Sequence, residues 1–293
     1  MAMKESLPRK IFVIFNTLFL TLAALIALIP VIHVFMASFS DPVELSRYNG
    51  VILWPKGFSL IGYQKVFESS EIWRGYLNSI LYTTSSVALG ITLTIFGAYV
   101  LSRKGLLWNN AAMFLITFTM IFNGGIITTY LLISQLNWID SPLSVIVPTC
   151  MTPFGLIILR TFFQGIPASL EESANIDGAG KLRIMFQIMV PLSKASIAVV
   201  ALIYAVTQWN SYFQAMIYLR SKELYPLQLV LRDILLRNTG TSAIIAGAHG
   251  YTLLVQELIK YCTIDVSIIP MLIVYPFIQR YFVGGIMIGA IKG

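Results

Sequence analysis

Glu172 to Pro191 read ESANIDGAGKLRIMFQIMVP, a polar stretch with two glycines lodged between the apolar runs Ser144 to Phe163 and Ser196 to Leu219. The residues just before it, QGIPASLEESANI, put Pro167 where a first helical turn accepts proline, and Ser169 with Glu172 has the three-residue spacing of a capping pair. A short helix is therefore predicted to start near Ala168. Asp177-Gly178 breaks it, because glycine takes the positive φ of a tight turn without steric cost. A second amphipathic segment follows, with Leu182, Met185, Phe186, Met189 and Val190 as an apolar stripe and Lys181, Arg183 and Gln187 facing away, until Pro191 closes it. The predicted product is a helix-turn-helix of about 25 residues, with Ser173, Ala174, Gly178, Ala179 and Gly180 at a tip that another surface can approach closely. From the residues alone it is either a docking element, where a carboxylate such as Glu172 meets an arginine, or an ordinary amphipathic loop between spans.

The rest of the chain makes the flanking runs membrane spans. Of its 293 residues 57% are hydrophobic and 11% charged, with a mean hydropathy of +0.79, where soluble domains carry roughly 25% charged residues. Apolar runs near the roughly 20 residues that cross a bilayer as helix occur at Ile11 to Phe39, Tyr76 to Leu101, Ala111 to Leu132, Ser144 to Phe163, Ser196 to Leu219 and about Ile264 to Phe282, six spans in all. The first is too long for a cleavable signal and lacks a small-residue cleavage site, so it is expected to stay as an anchor. With the N-terminus inside, the inside segments hold eleven of the twenty basic residues but only four of the thirteen acidic ones. The positive-inside rule favours that orientation, with both termini cytoplasmic. The basic balance has no aromatic-interleaved cluster, so it does not point to nucleic acid.

Local signals mark where the spans bend. Asn123-Gly124-Gly125 weakens span 3 by about 1 kcal/mol per glycine relative to alanine, and Pro148 with Pro153 removes backbone donors from span 4; in lipid such defects persist where neighbours or a cavity re-satisfy the backbone. Outside, Asp41-Pro42, Trp54-Pro55 and Lys56-Gly57 read as turns. Leu227, Val230, Leu231, Ile234 and Leu235 recur at helical spacing, predicting a short amphipathic helix on the outer face. Cys150 and Cys262 have no metal-ligand spacing and read as buried hydrophobes. His33 and His249 read as structural histidines, and Asp265 as a cap of span 6 or a group facing its mouth.

The loop motif carries a resemblance. Glu172, Ala174, Asp177, Gly178, Ala179, Met185, Phe186 and Pro191 follow the E-x-A-x-x-D-G-A pattern, bulky pair and proline of the coupling loop in ATP-binding-cassette importer permeases; the family's aromatic falls at Met185 and here stands one residue later, at Phe186. The ending YPFIQRYFVGGIMIGAIKG resembles that of the second, six-span permease of maltose-type carbohydrate importers, and FNGGIITTYLL and QWNSYFQAMIYL are similar to the branch handling complex oligosaccharides, pectin fragments and alginate among them.

The resemblance covers essentially the whole chain and implies an all-α polytopic fold of the type I importer permease. One transmembrane domain would occupy 1–293, with a coupling loop at 164–195 and a cytoplasmic tail at 283–293. It further implies a bacterial cytoplasmic membrane location, a second homologous permease, two ATPase subunits that bind ATP and magnesium, and an extracytoplasmic solute-binding protein. Glu172, Ala174, Asp177, Gly178, Ala179, Lys181, Phe186 and Pro191 would couple to the ATPase, and Ile288, Gly289, Lys292 and Gly293 would touch it from the tail. The chain has no G-x-x-x-x-G-K-[ST] phosphate loop, so ATP hydrolysis, and every cofactor, would belong to partners.

Mid-span amides and aromatics suit a sugar path, which nominates Asn78, Asn123, Gln208, Trp209, Asn210, Tyr212 and Gln214; the same groups also serve as helix-to-helix hydrogen bonds. Outer arginines Arg74, Arg220, Arg232 and Arg237 suit a uronate, but the outside balance is neutral, which leaves a neutral sugar or a non-sugar solute open. A secondary transporter would need a repeat and mid-depth ionisable groups. A membrane enzyme would need clustered His, Asp or Glu at one face.

Overall fold

The computed structural model describes residues 7–103, 105, 107–237 and 250–290. Its contacts fall into two compact units, Met1–Ser70 with Asp233–Ile268 and Glu71–Arg232 with Ile269–Gly293. Among the described residues every regular element is a helix, without a strand.

In the first unit, helix α1 (Leu7–Ser38) exposes almost every apolar side chain it carries. Water would penalise that surface and lipid solvates it. Asp41 then caps α2 (Pro42–Ser46), accepting the N–H groups of Val43 at 2.8 Å and Glu44 at 3.3 Å, so the Asp-Pro pair starts a short helix. Gly57, at φ +63°, folds the chain back until Ser40 bridges Phe58. Helix α3 (Ile61–Glu68) packs through Gly62, where an added Cβ would lie 2.5 Å from Cys262 Sγ. Tyr63 on that helix shares a hydrogen bond with Ser38 Oγ at 2.9 Å and donates to Asp265 Oδ2 at 3.1 Å; burial raises its pKa well above the ordinary phenol range.

In the second unit, α4 (Ser70–Ser102) buries a stripe of small residues, Gly75, Ser79, Ser86, Gly90 and Ala98, that lets other segments close on it. Gly90 is the tightest point, since a Cβ there would fall 1.8 Å from the carbonyl oxygen of Cys150. Gly90→Ala is expected to destabilise the fold by about 2 kcal/mol through overpacking. A thermal-unfolding series in detergent would show it, and an unchanged midpoint would refute the contact.

Helices α5 (Asn109–Ile121) and α6 (Gly125–Gln135) meet at 110°. Asn123 Oδ1 accepts the Gly125 N–H at 3.0 Å, and Gly125 takes φ +73°, so the Asn-Gly-Gly signal makes a local break, a sharp corner between the two helices. The loop after α6 is held by Asp140, itself at φ +59°, whose Oδ1 accepts the Arg220 and Ser221 N–H groups at 2.8 Å each and whose Oδ2 accepts the Ser221 hydroxyl at 2.6 Å. The Ser221 hydroxyl first, then those two amides, hold this carboxyl below the usual carboxylate range. A depressed folded-state pKa contributes stability that is present above the unfolded carboxylate pKa and is lost as pH falls through the folded value. Asp140→Asn, which tolerates the same φ, is expected to lower the unfolding midpoint at pH 7, with the difference from the parent shrinking below about pH 4. A pH-independent difference would refute the charge contribution.

Span 4 is not one helix. After α7 (Leu143–Ile146) the chain unwinds through 147–152, and α8 (Pro153–Gly165) starts afresh under Thr152, whose Oγ1 accepts the Gly155 N–H at 3.1 Å. Pro148 and Pro153 thus bound an irregular linker, which the Tyr204 hydroxyl supports at 3.4 Å from the Thr152 N–H. Next come α9 (Ala168–Ile176), α10 (Lys181–Ile184), a π-turn at Met185–Met189 and α11 (Val190–Leu192). Helix α12 (Lys194–Trp209) leaves them at 82° and breaks at 210–212 before α13 (Phe213–Tyr218), so span 5 is divided too.

The amphipathic helix expected near Leu227 is α14 (Leu227–Arg237), with Leu227, Leu229, Val230 and Leu231 buried. The last helix, α15 (Gly250–Ala290), begins well before Ile264, so Asp265 sits inside it rather than capping it. Among the described residues three helices are long and apolar enough to cross a membrane, and up to six spans result if each bent pair is one. Both cysteines are buried, and His249 lies outside the described residues.

Candidate functional site

The polar stretch folds into a closed helix-turn-helix. Helix α9 begins at Ala168 with Pro167 in the capping position and no side-chain cap, so Ser169 lies inside the first turn and the Ser169/Glu172 capping pair is not formed. Its far end closes by backbone alone: the Gly178 N–H meets the Asn175 carbonyl at 3.1 Å, the Ala179 N–H meets the Ala174 carbonyl at 2.9 Å, and Gly178 takes φ +78°. That is a Schellman closure with glycine in its left-handed position, and Ala174 and Ala179 pack against the same core beneath it.

The second limb roots the element. Ile184, Met185 and Met189 are fully buried against Ala98, Leu156, Leu159 and Phe163 from α4 and α8. The expected stripe is therefore rotated: Met185 and Met189 belong to it, Ile184 was missing from it, and Leu182 and Phe186 are 62% and 53% exposed. The π-turn over Met185–Met189 accounts for part of the shift, because its wider turn advances the register of each side chain. Pro191 does not end the element, since α11 runs on to Leu192 and the bend comes at Ser193. Phe186 keeps one contact, edge-on to Phe96 at 5.9 Å.

Charge ties the two limbs together and to the end of α4. Glu171, largely buried, accepts from Arg103 and from Lys181 Nζ at 3.3 Å, and Lys181 also reaches Asn175 Oδ1 at 3.2 Å. Arg103 lies over the Tyr99 ring at 4.7 Å and donates to Ser102 Oγ. Glu172, the carboxylate singled out by spacing, is exposed, as are Asp177, Gly178, Leu182 and Ile176, the last at 86%. The element thus has a rooted inner face and an outer face of apolar knobs around a carboxylate.

The break after α12 forms a cavity of about 230 Å³ whose lining includes Thr149, Gln208, Asn210, Ser211, Tyr212 and Gln214. Gln208 is buried, accepting the Thr149 hydroxyl at 2.8 Å, and Ser211 donates to Gln214 at 2.6 Å.

No family model matches the chain. Over 275 residues it is 41% identical to the polygalacturonan/rhamnogalacturonan transport system permease protein YtcP of Bacillus subtilis (strain 168), covering 94% of this chain and 96% of that one. A solved chain from a bacterial ABC transporter involved in the import of the acidic polysaccharide alginate superimposes with a TM-score of 0.85 at 31% identity, over 96% of this chain and all of that one. The chain belongs to the ABC transporter permeases. Protein LplC of the same Bacillus strain is a further relative of the permease, 35% identical over 97% of its length and 96% of LplC.

Of the residues nominated for the sugar path, the permease gathers Gln208, Asn210, Tyr212 and Gln214 at one cavity. The others are placed elsewhere. Asn78 donates to the carbonyls of Glu223 at 2.8 Å and Tyr225 at 3.1 Å, Asn123 holds the α5–α6 corner, and Trp209 is buried edge-on to Tyr76 at 5.8 Å. Thr149 was missed because it comes from the unwound linker, which no local pattern pairs with α12. Ile288 and Gly289 fall in the last turns of α15, while Lys292 and Gly293 lie outside the described residues.

Proposed function

We propose that the permease is one of two homologous membrane subunits of a bacterial importer that moves oligosaccharides inward by alternating access. Two ATPase subunits, which bind ATP and magnesium, dock on the cytoplasmic side, and an extracytoplasmic solute-binding protein delivers the cargo; this chain hydrolyses nothing. Both termini face the cytoplasm, the orientation favoured by the distribution of basic residues. The observation that carries the reading is the helix-turn-helix around Gly178. Its tip is fixed by backbone hydrogen bonds, its inner face is packed into the core between α4 and α8, and Glu172, Ile176 and Leu182 point outward. Close-packed elements transmit displacement instead of absorbing it, so a partner gripping that outer face moves α4 and α8. Ile288, Gly289, Lys292 and Gly293 would add a second contact with the ATPase from the tail.

The cargo named for the relatives, polygalacturonan, rhamnogalacturonan and alginate, supports an acidic glycan. The cavity beside Asn210 presents amides, hydroxyls and aromatic rings, and among the described residues no charged side chain lines it. Such a lining grips hydroxyls and ring faces, which favours as a second reading a neutral sugar, or the neutral units of a mixed chain. ATPase activity of the reconstituted complex with its binding protein, measured against neutral and uronate oligosaccharides, decides between them. Stimulation by uronate oligomers alone supports the acidic cargo, stimulation by neutral ones the second reading, and stimulation by neither overturns the carbohydrate assignment.

A further inference from the structure

The first unit holds a cavity of its own, about 630 Å³, between the end of α1, the segment after α2 and the early part of α15. That volume falls within the roughly 300–1,000 Å³ of small-molecule sites. His33 lines it from α1, Tyr48 and Asn49 from the segment after α2, and Glu257 and Tyr261 from one face of α15, four residues apart. The Ile52 N–H donates to His33 Nδ1 at 3.0 Å. That bond fixes the neutral tautomer and leaves the proton on Nε2, so the imidazole has a donor to offer. The His33 ring is held edge-on by Tyr261 at 5.9 Å. A carboxylate that only accepts, an imidazole N–H, an amide and two phenols therefore surround one space; among the described residues no lysine or arginine lines it, and Lys56 Nζ, 4.4 Å from the Tyr48 ring centroid, takes one face of that ring and leaves Tyr261 as the ring for stacking.

This set selects by exclusion. Phosphate or uronate would meet Glu257 with no cation in the lining, the nearby Lys56 being engaged with the Tyr48 ring, and an acyl chain would leave these polar groups unpaired. An organic cation would be served by Glu257 and the rings, but it would not use the donors of His33 and Asn49. A neutral sugar ring uses all of them, with hydroxyls for the acceptors and donors and an apolar face for a tyrosine.

We propose that this cavity is a second carbohydrate site, taking one neutral sugar unit, separate from the cavity beside Asn210. It rests on the orientation proposed above, with both termini cytoplasmic, which puts the segment after α1 outside, where an arriving glycan first meets the permease. It adds to that reading a subsite that chooses the neutral units of the chain.

The test is saturation-transfer NMR of the assembled importer in nanodiscs of phospholipids without sugar headgroups, titrated with neutral methyl glycosides, galacturonate and tetramethylammonium. A neutral glycoside should bind, at least tenfold more weakly in Tyr261→Ala and in the isosteric Glu257→Gln. Galacturonate should gain, not lose, in Glu257→Gln. Failure of every neutral glycoside to bind, binding insensitive to both substitutions, or preference for tetramethylammonium would each overturn the proposal. Glycan-stimulated ATPase is scored on the same samples: stimulation without neutral-sugar binding sinks this site alone, whereas binding without stimulation sinks the importer reading and leaves the site standing.

Discussion

Glu172→Lys is expected to leave the permease folded in the membrane and to abolish the glycan-stimulated ATPase activity of the complex. The side chain is exposed and makes no ion pair among the described residues, so reversing its charge removes no internal support. What it changes is the face that Ile176 and Leu182 share with it. Driving a two-state transporter from 1:99 to 99:1 takes about 5.5 kcal/mol of differential binding, and a repelled partner cannot deliver that. Gly178→Pro should reach the same end from inside the element. Proline fixes φ near −65° where the turn requires +78°, and it deletes the N–H that meets the Asn175 carbonyl. ATPase and uptake assays on reconstituted variants check both, and undiminished coupling in either would sink the docking role of this loop.

The neighbouring carboxylate should behave differently. Glu171→Ala is expected to lower the thermal stability of the permease, by about 3 kcal/mol, since removing one partner strands a largely buried guanidinium. Arg103 would lose its carboxylate, and Lys181 its bond to the first limb. Loss of coupling would follow from a loosened element rather than from a lost partner contact. Two readouts separate the glutamates: the unfolding midpoint falls for Glu171→Ala and holds for Glu172→Ala, and the swapped pair Arg103→Glu with Glu171→Arg recovers part of the loss. Equal midpoints for the two alanine variants would show that the Arg103–Glu171 pair holds nothing together.

These two adjacent residues also show where sequence reading stops. The start near Ala168, the break at Gly178 and the corner at Asn123 are written in proline, glycine and asparagine, whose backbone preferences act over a few positions. Which glutamate turns inward depends on Arg103, 68 residues away along the chain, and no spacing in 172–191 reports it. The π-turn at Met185–Met189 hid Ile184 in the same way, because a stripe drawn at 3.6 residues per turn misplaces side chains where the helix widens. At the cavity, QWNSYFQ supplied Gln208, Asn210, Tyr212 and Gln214 together. Asn78 and Asn123 are equally polar and also lie in apolar runs, yet they satisfy backbone groups, a choice that only the partners' positions decide.

The broken helices also constrain how the chain enters the bilayer. Helices α5 and α6 have 13 and 11 residues, about 20 and 16 Å of rise, against a hydrocarbon core of about 30 Å. Neither half is a stop signal by itself, and each ends in carbonyls or amides that lipid cannot satisfy. Helices α1 and α4, at 32 and 33 residues, have the length to partition unaided. The expected order of biogenesis is thus early insertion of α1 and α4, with the short pieces retained at the insertion machinery until protein surfaces exist to receive them. In a truncation ending after α6, the α5–α6 segment should then stay open to a membrane-impermeant label while α1 and α4 are protected from it.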